Sequence, residues 1–223
     1  MNRSLLRLGA LGAALSTALL LAMAFISLPG GMFYPGLPAL TGSLPLSPAE
    51  QTAYLTGMRL LFVLDGFFLA GWLAAWVGLF HLVRRRLPLL GGLTLAFGLA
   101  GALFDFSENS LIWGALQTFQ SGQMMTPDWL IAWKAVQHLS YWLPFLGALF
   151  AAPALWQGHW AEKAAALVGS ALLVPAVIGL YFPDLILLPN LWFLLWFLAL
   201  SLILWRAQRL SDDIPSPYGR GAG

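Results

Sequence analysis

Six long apolar runs constrain this chain more than any other feature of its sequence. A helix needs about 20 apolar residues to cross roughly 30 Å of hydrocarbon, and runs of about this length recur along all 223 residues. Charged residues make up only 9% of the chain, against about 25% in a soluble domain. Because no polar stretch is long enough for a soluble domain, the sequence predicts an all-α, polytopic membrane helix bundle.

The predicted bundle is a single unit that occupies residues 1–206. Residues 207–223 are polar and rich in Pro and Gly, so we expect a disordered tail there. A proline-rich, non-helical loop is expected from Pro29 to Pro48, and a turn at Pro183-Asp184. The six predicted spans are residues 8–28, 58–83, 89–113, 129–156, 164–182 and 186–205.

Two helix starts carry recognisable capping patterns. Ser47 followed by Pro48 and Glu50 combines a capping hydroxyl, a proline in the first turn and a carboxylate that reaches back. Thr126 and Pro127 repeat the first two elements of this pattern. The second helix is therefore predicted to begin at Pro48, outside the membrane, before it enters the membrane near residue 58.

The N-terminal segment resembles a secretory signal peptide. Arg3 and Arg7 precede an apolar run, and residues 22–24 (Ala-Met-Ala) resemble a cleavage site. We interpret this segment as the first span. A cleaved form would leave five spans with the same orientation.

The basic residues predict the orientation. Nine of the eleven Lys and Arg residues fall on one side of a six-span protein, and that side is assigned to the cytoplasm. These nine are Arg3, Arg7, Arg84, Arg85, Arg86, Lys163, Arg206, Arg209 and Arg220. Both termini are then cytoplasmic, as in a multi-pass protein of a bacterial inner membrane. Short basic clusters form no broad face for nucleic acid.

Polar residues inside the third predicted span mark a candidate site. Intramembrane ionisable groups are costly and are functional candidates by default. Asp105, Glu108 and Asn109 are spaced at i, i+3 and i+4, so they share one helix face. Asp65 lies at a similar depth in the second span, and Arg59 lies at its outer mouth.

A second polar stripe is predicted on the fourth span. Lys134, Gln137, His138 and Tyr141 are spaced at i, i+3, i+4 and i+7. Because both stripes lie in the outer half of the membrane, we expect them to meet in a partly charge-balanced cluster that opens outward. Gly92, Gly98 and Gly101 on the third span predict close packing against a neighbouring helix.

Three functions fit this pattern, and the sequence leaves them open. The first is a binding site for a small molecule or lipid, in a transporter or accessory subunit; a transporter of this length would act as a homo-oligomer or within a larger complex. The expected binding residues are Asp65, Asn109, Lys134, Gln137, Tyr141 and Arg59. The second is an isomerase or hydrolase acting on a lipid-like substrate, with Asp105, Glu108 and His138 as acid–base groups.

The third hypothesis is a structural or assembly subunit. In that case Lys134 pairs with Asp105 or Glu108 and holds two spans in register.

Asp65 and His138 could join these carboxylates in a mixed oxygen and nitrogen metal site. No metal-ligand motif supports that site, so no metal is predicted, and the cofactor is left open. The chain has no cysteine, which excludes thiolate ligands and cysteine nucleophiles.

Overall fold

The computed structural model describes residues 3–27, 47–123, 125–181 and 187–212. Within these ranges the chain forms seven helices and no strand. The helices are α1 Arg3–Ser27, α2 Pro48–Val83, α3 Pro88–Gln120, α4 Pro127–Trp156, α5 Trp160–Ala171, α6 Leu173–Tyr181 and α7 Leu187–Asp212. Since α5 and α6 together form one span, six segments are long and apolar enough to cross a membrane. The predicted all-α polytopic class is confirmed.

The spans are arranged as a ring in chain order. Each of α1 to α4 packs against the next helix along the chain, from the α1–α2 pair to the α4–α5 pair. α7 closes the ring by packing against α5, α6 and α1, and α2 also contacts α4 and α7 across the interior. Consecutive helices are therefore neighbours, as in an up-and-down bundle.

The three consecutive helices α2, α3 and α4 are the longest. They contain 36, 33 and 30 residues, whereas α1, the α5–α6 span and α7 contain 25, 22 and 26. At about 1.5 Å per residue, the first three extend for about 45–54 Å and the others for about 33–39 Å. One side of the ring is therefore taller than the other.

Both predicted helix starts are confirmed. The Ser47 hydroxyl accepts a hydrogen bond from the Glu50 backbone N–H, and the Glu50 carboxylate accepts one from the Ser47 N–H at 2.8 Å. At α4, the Thr126 hydroxyl accepts a hydrogen bond from the Trp129 N–H at 3.3 Å. These caps satisfy backbone donors that the first turn of a helix leaves unpaired.

Several helix ends differ from the predicted boundaries. α3 continues to Gln120, beyond the end of the third predicted span at residue 113, and α7 continues to Asp212, into the expected tail. α5 begins at Trp160, one turn early, because the His159 side chain caps it by accepting the Ala161 N–H at 3.4 Å. The proline-rich loop between residues 28 and 46, the turn at Pro183 and the tail beyond residue 212 lie outside the described residues.

The fifth span is interrupted at Leu172. Pro175 has no backbone N–H, and its ring clashes with the carbonyl group four residues earlier, which is that of Ala171. α5 ends at this residue and α6 starts at Leu173. The prolines inside α4, in contrast, lie within one continuous helix.

Most of the basic residues in the described ranges collect at one end of the bundle. A Cβ added to Gly9 of α1 would lie 2.7 Å from the Cα of Gly78, near the end of α2, and Leu204 of α7 also contacts Gly78. The start of α1 and the ends of α2 and α7 therefore share one end, which we call the basic end. The assignment of this end to the cytoplasm stays a prediction.

A charged clamp joins three segments at the basic end. The Arg86 guanidinium donates to the Glu162 carboxylate and to the Ala154 carbonyl, the latter at 2.8 Å. Glu162 is only 6% exposed, and Arg206 Nη1 lies 3.9 Å from its other carboxylate oxygen. The clamp thus ties the α2–α3 turn to α5 and α7. Glu162 was not among the predicted site residues, because it lies near the end of a span, where charged residues are common.

We expect the Glu162→Gln variant to be less stable by about 2 kcal/mol, because it removes the only negative charge between two arginines. The partial exposure of Arg86 keeps this loss below that of a fully buried pair. Thermal unfolding in detergent measures it. Asp128→Asn, at an exposed first-turn carboxylate, is the matched control, and equal losses in both variants would contradict the clamp.

The main core is built from aromatic side chains that pack into glycine notches on α3 and α4. The indole N–H of Trp72 donates to the Gly98 carbonyl at 2.9 Å. Trp76 lies against Gly98 and Gly147, and Gly101 lies against Pro144 of α4. The predicted close packing is therefore confirmed at Gly98 and Gly101. It is not found at Gly92, where an added Cβ would meet nothing within 4 Å.

Gly98→Ala should destabilise the protein by about 1–3 kcal/mol, because its Cβ would lie 2.6 Å from Cγ of Trp76 in a packed core. Gly92→Ala on the same helix meets open space and should be neutral or stabilising by up to about 1 kcal/mol. Unfolding of the two variants in the same detergent checks the pair. A Gly98→Ala variant as stable as Gly92→Ala would show that the notch is not needed.

Candidate functional site

A layer of polar side chains lies between two hydrophobic clusters. The larger cluster extends toward the basic end, and the smaller one, around Tyr54, Ala115 and Leu116, lies toward the α3–α4 turn. Between them α2, α3 and α4 contribute what we call the acidic layer. Its members are Asp65, Asp105, Glu108, Asn109, Gln137, Ser140 and Tyr141.

The contact between α2 and α3 is made by two carboxyl groups and an amide. The Asn109 Nδ2 donates to Asp65 Oδ2, which links the middle of one helix to the middle of the next. The carboxyl group of Asp105 lies beside that of Asp65. The i, i+4 spacing of Asp105 and Asn109 lets both reach the same carboxyl, as the sequence predicts for one helix face.

The contact between α3 and α4 is centred on Glu108. Its Oε1 accepts a hydrogen bond from Gln137 Nε2 at 3.0 Å, and its Oε2 lies 3.2 Å from the Ser140 hydroxyl. That hydroxyl is also 2.8 Å from the Gln137 carbonyl. The indole of buried Trp133 lies near Glu108, but its N–H forms no hydrogen bond with any described residue.

Tyr141 borders the acidic layer on the side of the main core. Its hydroxyl donates to Asn190 Oδ1 of α7 at 2.8 Å, and its ring packs against Phe193 with centroids 5.4 Å apart. The acidic layer therefore reaches across the ring from α2 to α7. Ser140 and Asn190 were not predicted. Ser140 lies three residues after Gln137 and was detectable from spacing, whereas Asn190 requires the tertiary contact.

Three predicted site residues lie outside the acidic layer. Lys134 is exposed on the surface of α4, and Arg59 is exposed on α2. The His138 ring packs against Tyr181 of α6, with centroids 5.3 Å apart. The structure therefore assembles neither the expected ion pair of Lys134 with a layer carboxylate nor a histidine–carboxylate pair.

The reason is the rotation of α4. The face turned toward α3 is centred on Trp133, Gln137, Ser140 and Tyr141, which are spaced at i, i+4, i+7 and i+8. At about 100° per residue, Lys134 and His138 lie on one edge of that face. The position of Lys134 leaves its charge outside the bundle, where a long side chain can reach the interface.

The acidic layer contains three carboxyl groups, and no basic side chain among the described residues forms an ion pair with them. Asp65 and Glu108 accept hydrogen bonds from neutral amide and hydroxyl groups, and the ion pairs in the described ranges involve Glu162 instead. Oδ2 of Asp105 is buried and has no hydrogen-bond partner in the part of the chain that the structure describes. The expected charge balance is therefore not found here. Because an unpaired buried charge is costly, these carboxyl groups are stable either with protons bound or with a cation beside them.

A cleft of about 60 Å³ lies between α2 and α3, on the side of the acidic layer that faces the α3–α4 turn. It is lined by Leu55, Arg59, Trp113, Leu116, Gln117 and Gln120. Phe62 and Ile112 of the smaller cluster lie between this cleft and the carboxyl groups. Across the described residues, no three His, Cys, Asp or Glu side chains are arranged to hold a metal ion.

Comparison of the chain with protein-family models, curated proteins and solved structures finds no match. The function is therefore argued from the geometry of the acidic layer.

We expect Lys134→Gln to leave the unfolding temperature unchanged, because Lys134 forms no ion pair with the layer carboxyl groups. Asn109→Leu should lower that temperature clearly, since it removes the donor to Asp65 and leaves an unpaired carboxyl in the bundle. Thermal unfolding in detergent compares the two variants. A large loss in Lys134→Gln would instead favour the ion pair with Asp105 or Glu108.

Proposed function

We propose that this chain is an integral membrane protein whose acidic layer binds a small, positively charged molecule. The observation that carries the proposal is the buried, unpartnered carboxylate oxygen of Asp105 beside the carboxyl group of Asp65. Two neighbouring carboxyl groups in a medium of low dielectric share a proton, and they attract a cation strongly when that proton is released. A cell-membrane location, cytoplasmic termini and a homo-oligomeric state belong to the same proposal.

The neutral groups of the acidic layer support recognition of an organic cation. Asn109, Gln137 and Ser140 hold two of the carboxyl groups in fixed positions, so binding costs little reorganisation. Tyr141 and Trp133 border the layer and offer aromatic faces, which attract ammonium groups through cation–π contacts. Together these features fit an amine better than a neutral lipid.

Binding without transport is the form of this proposal that the structure favours. Between the acidic layer and the basic end, Trp72 and Phe145 each pack against Phe193 in tilted contacts, with ring centroids 5.1 and 6.0 Å apart. This aromatic core lies between the carboxyl groups and the basic end. A transport cycle would have to open it, so a receptor or accessory subunit needs fewer assumptions.

A structural role is the second candidate, and a separate observation favours it. The hydrogen bonds of the acidic layer link α2 to α3, α3 to α4 and α4 to α7. Such bonds hold helices together in hydrocarbon at about 1 kcal/mol each. The enzymatic alternative receives no comparable support, because His138 packs against Tyr181.

The proposal predicts that purified protein binds a small organic amine such as benzylammonium, measured by equilibrium dialysis. Asp105→Asn should weaken binding about tenfold, the equivalent of about 1.4 kcal/mol for one charged contact. Binding should also weaken as the pH falls, because protonated carboxyl groups no longer attract a cation. The groups that face Asp105 are Asp65, Glu108 and Tyr141.

Asp128→Asn is the control for this experiment, since Asp128 is an exposed carboxylate at the start of α4. Equal affinity in wild type, Asp105→Asn and Asp128→Asn would reject the binding site. If Asn109→Leu then still lowered the unfolding temperature, the structural role would be the better account of the acidic layer.

A further inference from the structure

The cleft between α2 and α3 has a charge preference opposite to that of the acidic layer, and we infer that it holds an anionic membrane lipid. Arg59 supplies the positive charge at its rim, and Gln117 and Gln120 supply amide donors. Leu55, Trp113 and Leu116 form the apolar wall. This site does not depend on the proposed function, because its lining shares no residue with the acidic layer.

The head of such a lipid would lie on Arg59. Arg59 is exposed and forms no ion pair within the described ranges of the chain. A guanidinium group donates two parallel hydrogen bonds to a phosphate, which gives strong and geometrically defined contacts. The two glutamine side chains on α3 lie on the same rim and can donate to the remaining phosphate oxygens.

The acyl chain has an apolar track to follow along the same pair of helices. Val63 and Phe67 lie four and eight residues after Arg59, on the same face of α2, and are 56% and 59% exposed. Phe106 and Leu103 of α3, which runs in the opposite direction, are 62% and 64% exposed. These side chains offer an apolar surface that leads from the rim of the cleft toward the middle of the bundle.

The depth of Arg59 distinguishes a lipid from a soluble anion. Arg59 and Arg84 lie 25 residues apart on or at the end of one helix, which is about 38 Å along its axis. The bilayer with its headgroup regions is about 40–45 Å thick. With Arg84 in one headgroup region, Arg59 is therefore in the other, at the level of the lipid phosphates.

The test is native mass spectrometry of the full chain released from mixed micelles that contain phosphatidylglycerol and phosphatidylcholine with identical acyl chains. Wild-type protein should retain phosphatidylglycerol preferentially. Arg59→Gln should reduce that preference about fivefold, the effect of about one basic residue at an anionic surface. Arg59→Lys should keep most of it, and Trp113→Ala should lower the retention of both lipids alike.

Lys134→Gln is the matched control, because Lys134 is an exposed cation outside the cleft. An equal loss of preference in Lys134→Gln and Arg59→Gln would overturn the site in favour of general surface charge. Unchanged retention in Trp113→Ala would overturn the acyl-chain half of the inference. Complete displacement of phosphatidylglycerol by soluble glycerol phosphate would identify a free phosphate site and overturn the lipid.

Discussion

The half of the bundle nearer the α3–α4 turn depends on hydrogen bonds inside the acidic layer. Asn109 bonds to Asp65, and Gln137 and Ser140 bond to Glu108. Hydrocarbon offers no alternative partner for a carboxyl or amide group, and an unsatisfied polar group there costs several kcal/mol. The three longest helices must therefore meet in the one register that joins these side chains. The aromatic core packs beneath that register, and the smaller hydrophobic cluster packs above it.

The buried carboxyl groups at the basic end and in the acidic layer have different partners. At the basic end, Glu162 lies between Arg86 and Arg206, so its charge is compensated within the protein. In the acidic layer, the carboxyl groups have only neutral donors from the described residues, and one oxygen of Asp105 has none. A compensated cluster fixes helices in place, whereas carboxyl groups without a basic partner can take up either protons or a cation. This difference is why we describe the first as structural and propose a binding role for the second.

Local rules predicted the parts of this structure that depend on a single helix. Ser47 and Thr126 cap their helices as expected, and the shared face of Asp105 and Asn109 follows from helical spacing alone. The sequence could not fix the rotation of α4, because both Lys134 and Gln137 are polar and only tertiary packing decides which one turns inward. Glu162 was missed for a related reason: its partners come from two distant segments.

The unequal helix lengths have a consequence for the surrounding lipid. α2, α3 and α4 are neighbours in the ring, so the protein presents a side about 45–54 Å tall and a side about 33–39 Å tall. The first 11 residues of α2 precede Arg59, so with Arg59 at the level of the lipid phosphates about 17 Å of this helix stands beyond them. Lipid on this side of the ring therefore borders protein that projects from the membrane surface.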